Sequence, residues 1–192
     1  MPPKTRFERS DIVEAAFVIA RDEGLEAVKA RRVADKLGSS VAPIYNNFET
    51  IDELVRAVVE HVLAISHSIL AEQQGDSVFE NIGRASLTFA RMYPLLVRDL
   101  VLKPNPWIAA NEQQDHTLIE MMAEEPALAG WSQAERRRLL LQMRAFQMGV
   151  MLMTANQQIP SWAAEIDLEQ LLMQTSHSLV QARNNQTHRS EE

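Results

Sequence analysis

The stretch from Lys29 to Leu54, KARRVADKLGSSVAPIYNNFETIDEL, constrains this chain more than any other. Two short helix-forming runs meet there at a glycine. Val33, Ala34 and Leu37 recur at helical spacing before Gly38, and Ile44 follows after it. Gly38 can take positive φ and fold the chain back sharply, so the four apolar residues can share one small core. The pattern predicts a helix from about Lys29 to Leu37 and another from Ser39 or Ser40 to about Asn46, the helix-turn-helix layout. Pro43 does not oppose this. With Ser40 as N-cap, Pro43 falls at the third helical position, whose N–H has no partner inside a helix.

The same periodicity extends in both directions. A first helix is expected behind a capping box at Thr5-x-x-Glu8, with Ile12, Ala15, Ala16, Ile19 and Ala20 facing inward and Gly24 ending it. A fourth opens at Thr50-x-x-Glu53 and carries Leu54, Val58, Val62, Ile65 and Ile69. Further helices are expected from after Asp76 to about Met92, from Pro94 to Leu102, and from Trp107 to Glu124. Two more are expected, from a third capping box at Ser132-x-x-Glu135 to about Gln158, and from about Ile166 to Arg183. Lys103-Pro-Asn-Pro106 and Pro160 break the pattern. A polar tail from Asn184 to Glu192 is expected to fray. No segment alternates apolar and polar residues with β-branched enrichment, so no strand is expected.

Composition narrows the classes of function. The 192 residues contain no cysteine, which excludes disulfides and thiolate chemistry. The first eleven residues lack an apolar stretch of the signal-peptide kind. Leu54–Leu70 is interrupted by Arg56, Glu60, His61, Ser66, His67 and Ser68, so a membrane span is not expected. A cytoplasmic protein is the expectation. The net charge of −7 at first argues against nucleic acid, but it is unevenly placed. Residues 1–50 hold eight basic and eight acidic side chains, while residues 51–192 hold eleven and eighteen. The N-terminal part can therefore present a basic face by arrangement.

The third helix can bring its free face into a major groove of double-stranded DNA. That face would carry Ser39, Ser40, Val41, Ala42, Pro43, Tyr45, Asn46 and Asn47. Hydroxyls and amides can meet phosphates and base edges, and Val41, Ala42 and Pro43 can touch a thymine methyl. Arg31 and Arg32 can reach a phosphate or a guanine, and Lys4, Arg6 and Arg9 can steer the module to the backbone.

Together these residues resemble the N-terminal domain of the tetracycline-repressor (TetR) family of transcriptional regulators. The likeness runs over roughly residues 8–60. It is carried by Ile12/Ala15/Ala16, Gly24, Val33-Ala34, Leu37-Gly38-Ser39-Ser40, Ile44-Tyr45, Phe48 and Leu54. It implies an all-α fold: a three-helix helix-turn-helix DNA-binding domain at residues 1–49 and a larger helical effector-binding and dimerisation domain at 50–192. It also implies a homodimer on a palindromic operator, and a repressor released by a small effector. Arg31 falls where the family often contacts DNA, and Tyr45 matches its usual tyrosine. Asn47 stands where the family often has His, Ile51 where it often has a phosphate-touching Lys, and Ala30 where a hydroxyl is frequent.

Eight of nine methionines and all three tryptophans lie beyond residue 90. Methionine packs adaptably and suits an apolar or aromatic ligand. Placed in the resembled layout, the candidate effector residues are Phe89, Met92, Tyr93, Trp107, His116, Met122, Phe146 and Met153. The Ser132–Gln158 helix is apolar on more than one side and is expected to be buried on several. Pairing it with the last helix across a two-fold axis gives a four-helix interface, where the resembled family dimerises. The histidines lack metal-ligand spacing, and no metal or cofactor is expected. No nucleophile–base pair, phosphate loop or paired-carboxylate motif points to an enzyme. The alternative is a helical partner-binding module that has lost DNA binding.

Overall fold

A computed structural model describes residues 7–75, 77–103 and 112–190, the side chains of 112–114 and 186–190 excepted. All regular structure among the described residues is helical. Lys4, Arg6, Asp76 and Trp107 lie outside them.

Helix α1 (Arg9–Glu23) starts one turn later than the Thr5 capping box predicts. Its N-cap is Glu8, whose backbone N–H donates to Asp11 Oδ2 at 2.9 Å, so the cap forms between Glu8 and Asp11 instead. Helix α2 (Ala30–Leu37) ends as predicted at Gly38, in the left-handed region at φ +64°. There the Ser39 N–H donates to Ala34 O at 2.9 Å and the Gly38 N–H to Asp35 O at 3.1 Å, which satisfies carbonyls the helix end would leave open. Nothing lies within 4 Å of a Cβ placed on Gly38. The glycine is required for its backbone conformation, not for space.

Helix α3 (Ala42–Asn47) is shorter than expected. Its N-cap is Val41, not Ser40, because the Val41 carbonyl accepts from the N–H groups of Ile44 and Tyr45 at 3.1 and 3.3 Å. Pro43 therefore sits at the second helical position, where its missing N–H is equally unneeded. Helix α4 (Ile51–Ala71) opens at Thr50, whose hydroxyl accepts from the Glu53 N–H at 3.1 Å. By length and composition α4 could cross a membrane, but Leu54, Val55, Ala57, Val58, Val59, Val62 and Ile69 bury one side of it in the main core. It is a core helix.

Helix α5 (Val78–Met92) and short α6 (Pro94–Val97) follow, and α6 widens into a π-helical turn at Arg98–Leu102. Helix α7 spans Glu112–Met121. The Ser132–Glu135 capping box opens α8 (Gln133–Ala155). It stops before Gln158 because Gln157 takes φ +55°, while the Gln158 N–H turns back to Met153 O at 2.8 Å. Helix α9 (Leu168–Ser190) begins behind Asp167 and continues through the tail expected to fray. Trp131 Nε1 donates to Asn184 Oδ1 at 3.0 Å, which pins the start of that tail to the bundle. No proline or glycine lies between Arg183 and Ser190 to stop the helix.

Helix α1 packs on α2 and α4, α4 on α5, and α5 on α8 and α9, while α6 touches α1, α5 and α8. The largest core joins Ile12, Val33, Ile44, Phe48 and Leu54 to Phe89, Leu96, Val97 and Ala155, so buried residues from both sides of residue 50 share it. At 0–1% exposure, Ile12, Val33, Ile44, Phe48 and Leu54 each contribute about 1.5–3 kcal/mol by burial. Two smaller cores lie within the C-terminal bundle: Met122, Leu128, Trp131, Leu139 and Met143, and then Leu87, Val150 and Leu172.

The junction between the two halves also carries polar contacts. Gly24 ends α1 at φ +91°, and the next N–H, from Leu25, donates to Asp99 Oδ2 on the π turn at 2.6 Å. Lys103 Nζ lies 2.8 Å from both Asp99 and Glu26. A Cβ at Gly24 would come within 2.8 Å of Asp99 Oδ2. Phe17 of α1 meets Tyr93 at 6.0 Å, and Tyr93 meets Phe89 at 5.1 Å.

Candidate nucleic-acid interface

Helix α3 is anchored by one face. Ile44 and the following Phe48 are 0% and 1% exposed, whereas Val41 and Tyr45 are 39% and 53% exposed. This split follows from the helical period: Ile44 and Phe48 are one turn apart and inward, while Val41 and Tyr45 are one turn apart and outward. Ser40, Ala42 and Asn46 are exposed as well. Ser39, Ser40, Ala42, Pro43, Asn46 and Asn47 line an open groove of about 1270 Å³, whose other wall is Phe7, Glu8 and Arg9 at the start of α1.

The groove is held in shape by a residue whose role differs from the one expected. Arg9 is not an extended arm. Its Nη1 donates to Asn47 O at 3.0 Å and to Glu53 Oε1 at 3.1 Å, and its guanidinium lies 4.1 Å from the Phe48 ring centroid. Glu53 also accepts from the Glu49 N–H at 2.9 Å. That backbone bond and the Arg9 guanidinium hold the Glu53 carboxyl below its ordinary range. Arg9 and Glu53 thus fasten the end of α3 and the start of α4 to α1. The Thr50–Glu53 capping pattern hints that Glu53 is engaged, but nothing local in the sequence points to Arg9, 44 residues away.

The remaining polar groups divide into bound and free. Asn47 Nδ2 donates to Pro43 O at 2.8 Å, and Ser39 Oγ donates to Ser40 O at 2.9 Å. Arg32 is paired with Glu23, which raises its pKa. Arg31, Lys29 and Lys36 are exposed and make no ion pair among the described residues, and the Asn46 amide makes no hydrogen bond among them. The surface therefore offers an uncharged helix flanked by free cations on α2 and at its N-cap.

Of the eight candidate effector residues, Trp107 lies outside the described residues, and the other seven do not converge. Phe89 and Tyr93 pack in the main core. Met122 belongs to the second core and Phe146 packs against the third. Met92 and Met153 are 54% and 37% exposed. His116 faces Glu120 at 3.2 Å and lines a cleft of about 440 Å³ between α7 and α8, with Ile119, Leu140, Leu141, Arg137, Asp115 and Arg144. Arg144 grips both Asp115 oxygens, one at 2.9 Å, and holds that carboxyl below its ordinary range.

Comparison with known proteins bears on both halves. Residues 12–58 match the family model described as "Bacterial regulatory proteins, tetR family". No curated protein matches the chain. Among solved structures, one described as a crystal structure of the superantigen PfiT aligns with 93% of this chain and 97% of that chain, at 19% identity and a TM-score of 0.52. At that identity the likeness shows a shared fold, and it extends through the C-terminal bundle.

Proposed function

We propose that this chain, whose residues 12–58 match the tetR-family model, is a DNA-binding transcriptional regulator, a repressor which a small-molecule effector releases from its operator. Regulators of this family are not enzymes. One observation carries the reading: α3 is fastened through Ile44 and Phe48 to a packed core while Val41, Tyr45 and Asn46 stand free beside an open groove. Arg31 and the flanking Lys29 and Lys36 would engage phosphates, with Arg32 joining them if DNA displaces Glu23. Lys4 and Arg6 would extend the same contact.

A homodimer would place two readers on a palindrome, with half-site centres about 34–36 Å apart or a multiple of it. The support is on α8. Leu141 and Met148 are 68% and 38% exposed, and Ala145 and Gly149 share their outward stripe. A helix with an apolar, small-residue stripe left outside is suited to a partner helix. The effector, apolar or aromatic in the expectation, would bind the C-terminal bundle and shift the reader spacing by its differential affinity for two states. A cytoplasmic location belongs to this proposal.

The test is a mobility shift of the full chain on its own upstream DNA across a salt series. Specific binding that weakens steeply with salt is expected. No specific shift at any salt overturns the reading. A second reading, a partner-binding module without DNA binding, draws on the confinement of Arg9 and Arg32 within ion pairs and on Ile51 in place of a lysine. It requires that Arg31→Ala leave regulated transcription unchanged, whereas repression requires that Arg31→Ala relieve it.

A further inference from the structure

The outward face of α3 has a chemistry that selects among base pairs. From Ser39 to Phe48 the sequence SSVAPIYNNF holds no Arg, Lys, Asp, Glu or His. In the major groove, guanine is read by a bidentate Arg or Lys, adenine by a bidentate Asn or Gln at N6 and N7, and thymine by apolar contact with its methyl group. Two guanidiniums of the reader are committed elsewhere. Arg9 is held by Asn47 O, Glu53 and the Phe48 ring, and Arg32 by Glu23. The Asn47 amide is turned back to Pro43 O. That leaves Asn46 as the free amide on this helix among the described residues. Val41 and Ala42 stand one turn before Tyr45 and Asn46 on the same exposed side.

Resting on the DNA-binding reading above, we infer that α3 reads A·T base pairs. Asn46 pairs with an adenine edge, and Val41 and Ala42 touch thymine methyls within the same few base pairs of each half-site. Guanine contacts, where the operator has them, fall to Arg31 and lie outside the base pairs that α3 covers.

The test is selection of binding sites from a random duplex pool by the full chain and by its Asn46→Ala variant. The native protein is expected to enrich A·T pairs at adjoining positions. Asn46→Ala is expected to lose adenine discrimination at one of them by at least about fivefold, with unchanged thermal stability because the residue is exposed. Replacing thymine by deoxyuridine at these positions removes only the major-groove methyl. It should weaken native binding about three- to fivefold at one or more of them, and Val41→Ala should shrink that effect.

Three results overturn the inference while leaving DNA binding intact: G·C enrichment at the position that Asn46→Ala alters, no position altered by Asn46→Ala, or deoxyuridine tolerated at every thymine. A pool that yields no enriched sequence, with no shift even at low salt, overturns the DNA-binding reading itself.

Discussion

The reader and the bundle behind it use the same helical period to different ends. In the reader, the turn, the α4 cap and the outward face of α3 lie within a short run of sequence, and the Arg9–Glu53 clamp, 44 residues apart, is the long-range exception. Gly38 sets the turn, Thr50 caps the next helix, and the exposed face of α3 is made by neighbours. In the bundle the corresponding contacts span long separations. Arg91 reaches Glu169, Arg144 reaches Asp115, and Arg183 reaches Glu135. Its apolar residues divide among several cores rather than facing one cavity. Local sites are written in sequence order, whereas sites assembled from distant helices depend on how those helices pack.

The two regions nevertheless share the main core. The largest expected effect tests that sharing. Phe48→Ala should cost about 3–5 kcal/mol, because Phe48 is 1% exposed, and urea unfolding should show a single transition at a lower midpoint. Two separated transitions would make the reader an independent unit. The next test addresses the polar junction. Gly24→Ala should cost about 1–3 kcal/mol from the unfavourable φ, and a double-mutant cycle with Asp99→Ala should be non-additive, since the second change removes the close approach at Asp99 Oδ2. Additive costs would mean that Asp99 adjusts freely.

Within the reader, Arg9→Ala should lower stability by less than about 1 kcal/mol, as an exposed ion pair does. It should weaken DNA binding more than that loss explains, because α3 is no longer fastened to α1; matched losses would make the clamp a stability contact only. The smallest effects are in pH. The Arg183 guanidinium, then Ser132, holds Glu135 down to about 2 from 4.5. The stability this confers is present above pH 4.5 and is lost as pH falls toward 2. Glu135→Gln should flatten part of the acid decline in melting temperature. Asp99, then Glu26, pushes Lys103 up to about 12 from 10.5. That contribution is present below pH 10.5 and is lost as pH rises through 12, so Lys103→Met should flatten the alkaline decline instead.

The sequence by itself determined the all-helical class, the Gly38 turn, the caps at Thr50 and Ser132, and the outward face of α3. These depend on φ, on hydrogen bonds to near neighbours and on a period of 3.6, all local quantities. Only the tertiary structure decided that Arg9 is a clamp, that Arg32 is tied to Glu23, and that Asp99 joins the π turn to the end of α1. It also decided that Phe89 and Tyr93, Met122 and Phe146 pack with three different cores. Side chains of one type look alike in sequence, and their partners are set by which helices pack together. The start of α1 at Glu8 and the extension of α9 to Ser190 carry the same lesson at smaller scale. A competing cap at Asp11 settled the first boundary, and a long-range bond from Trp131 to Asn184 pins the segment from which the second continues.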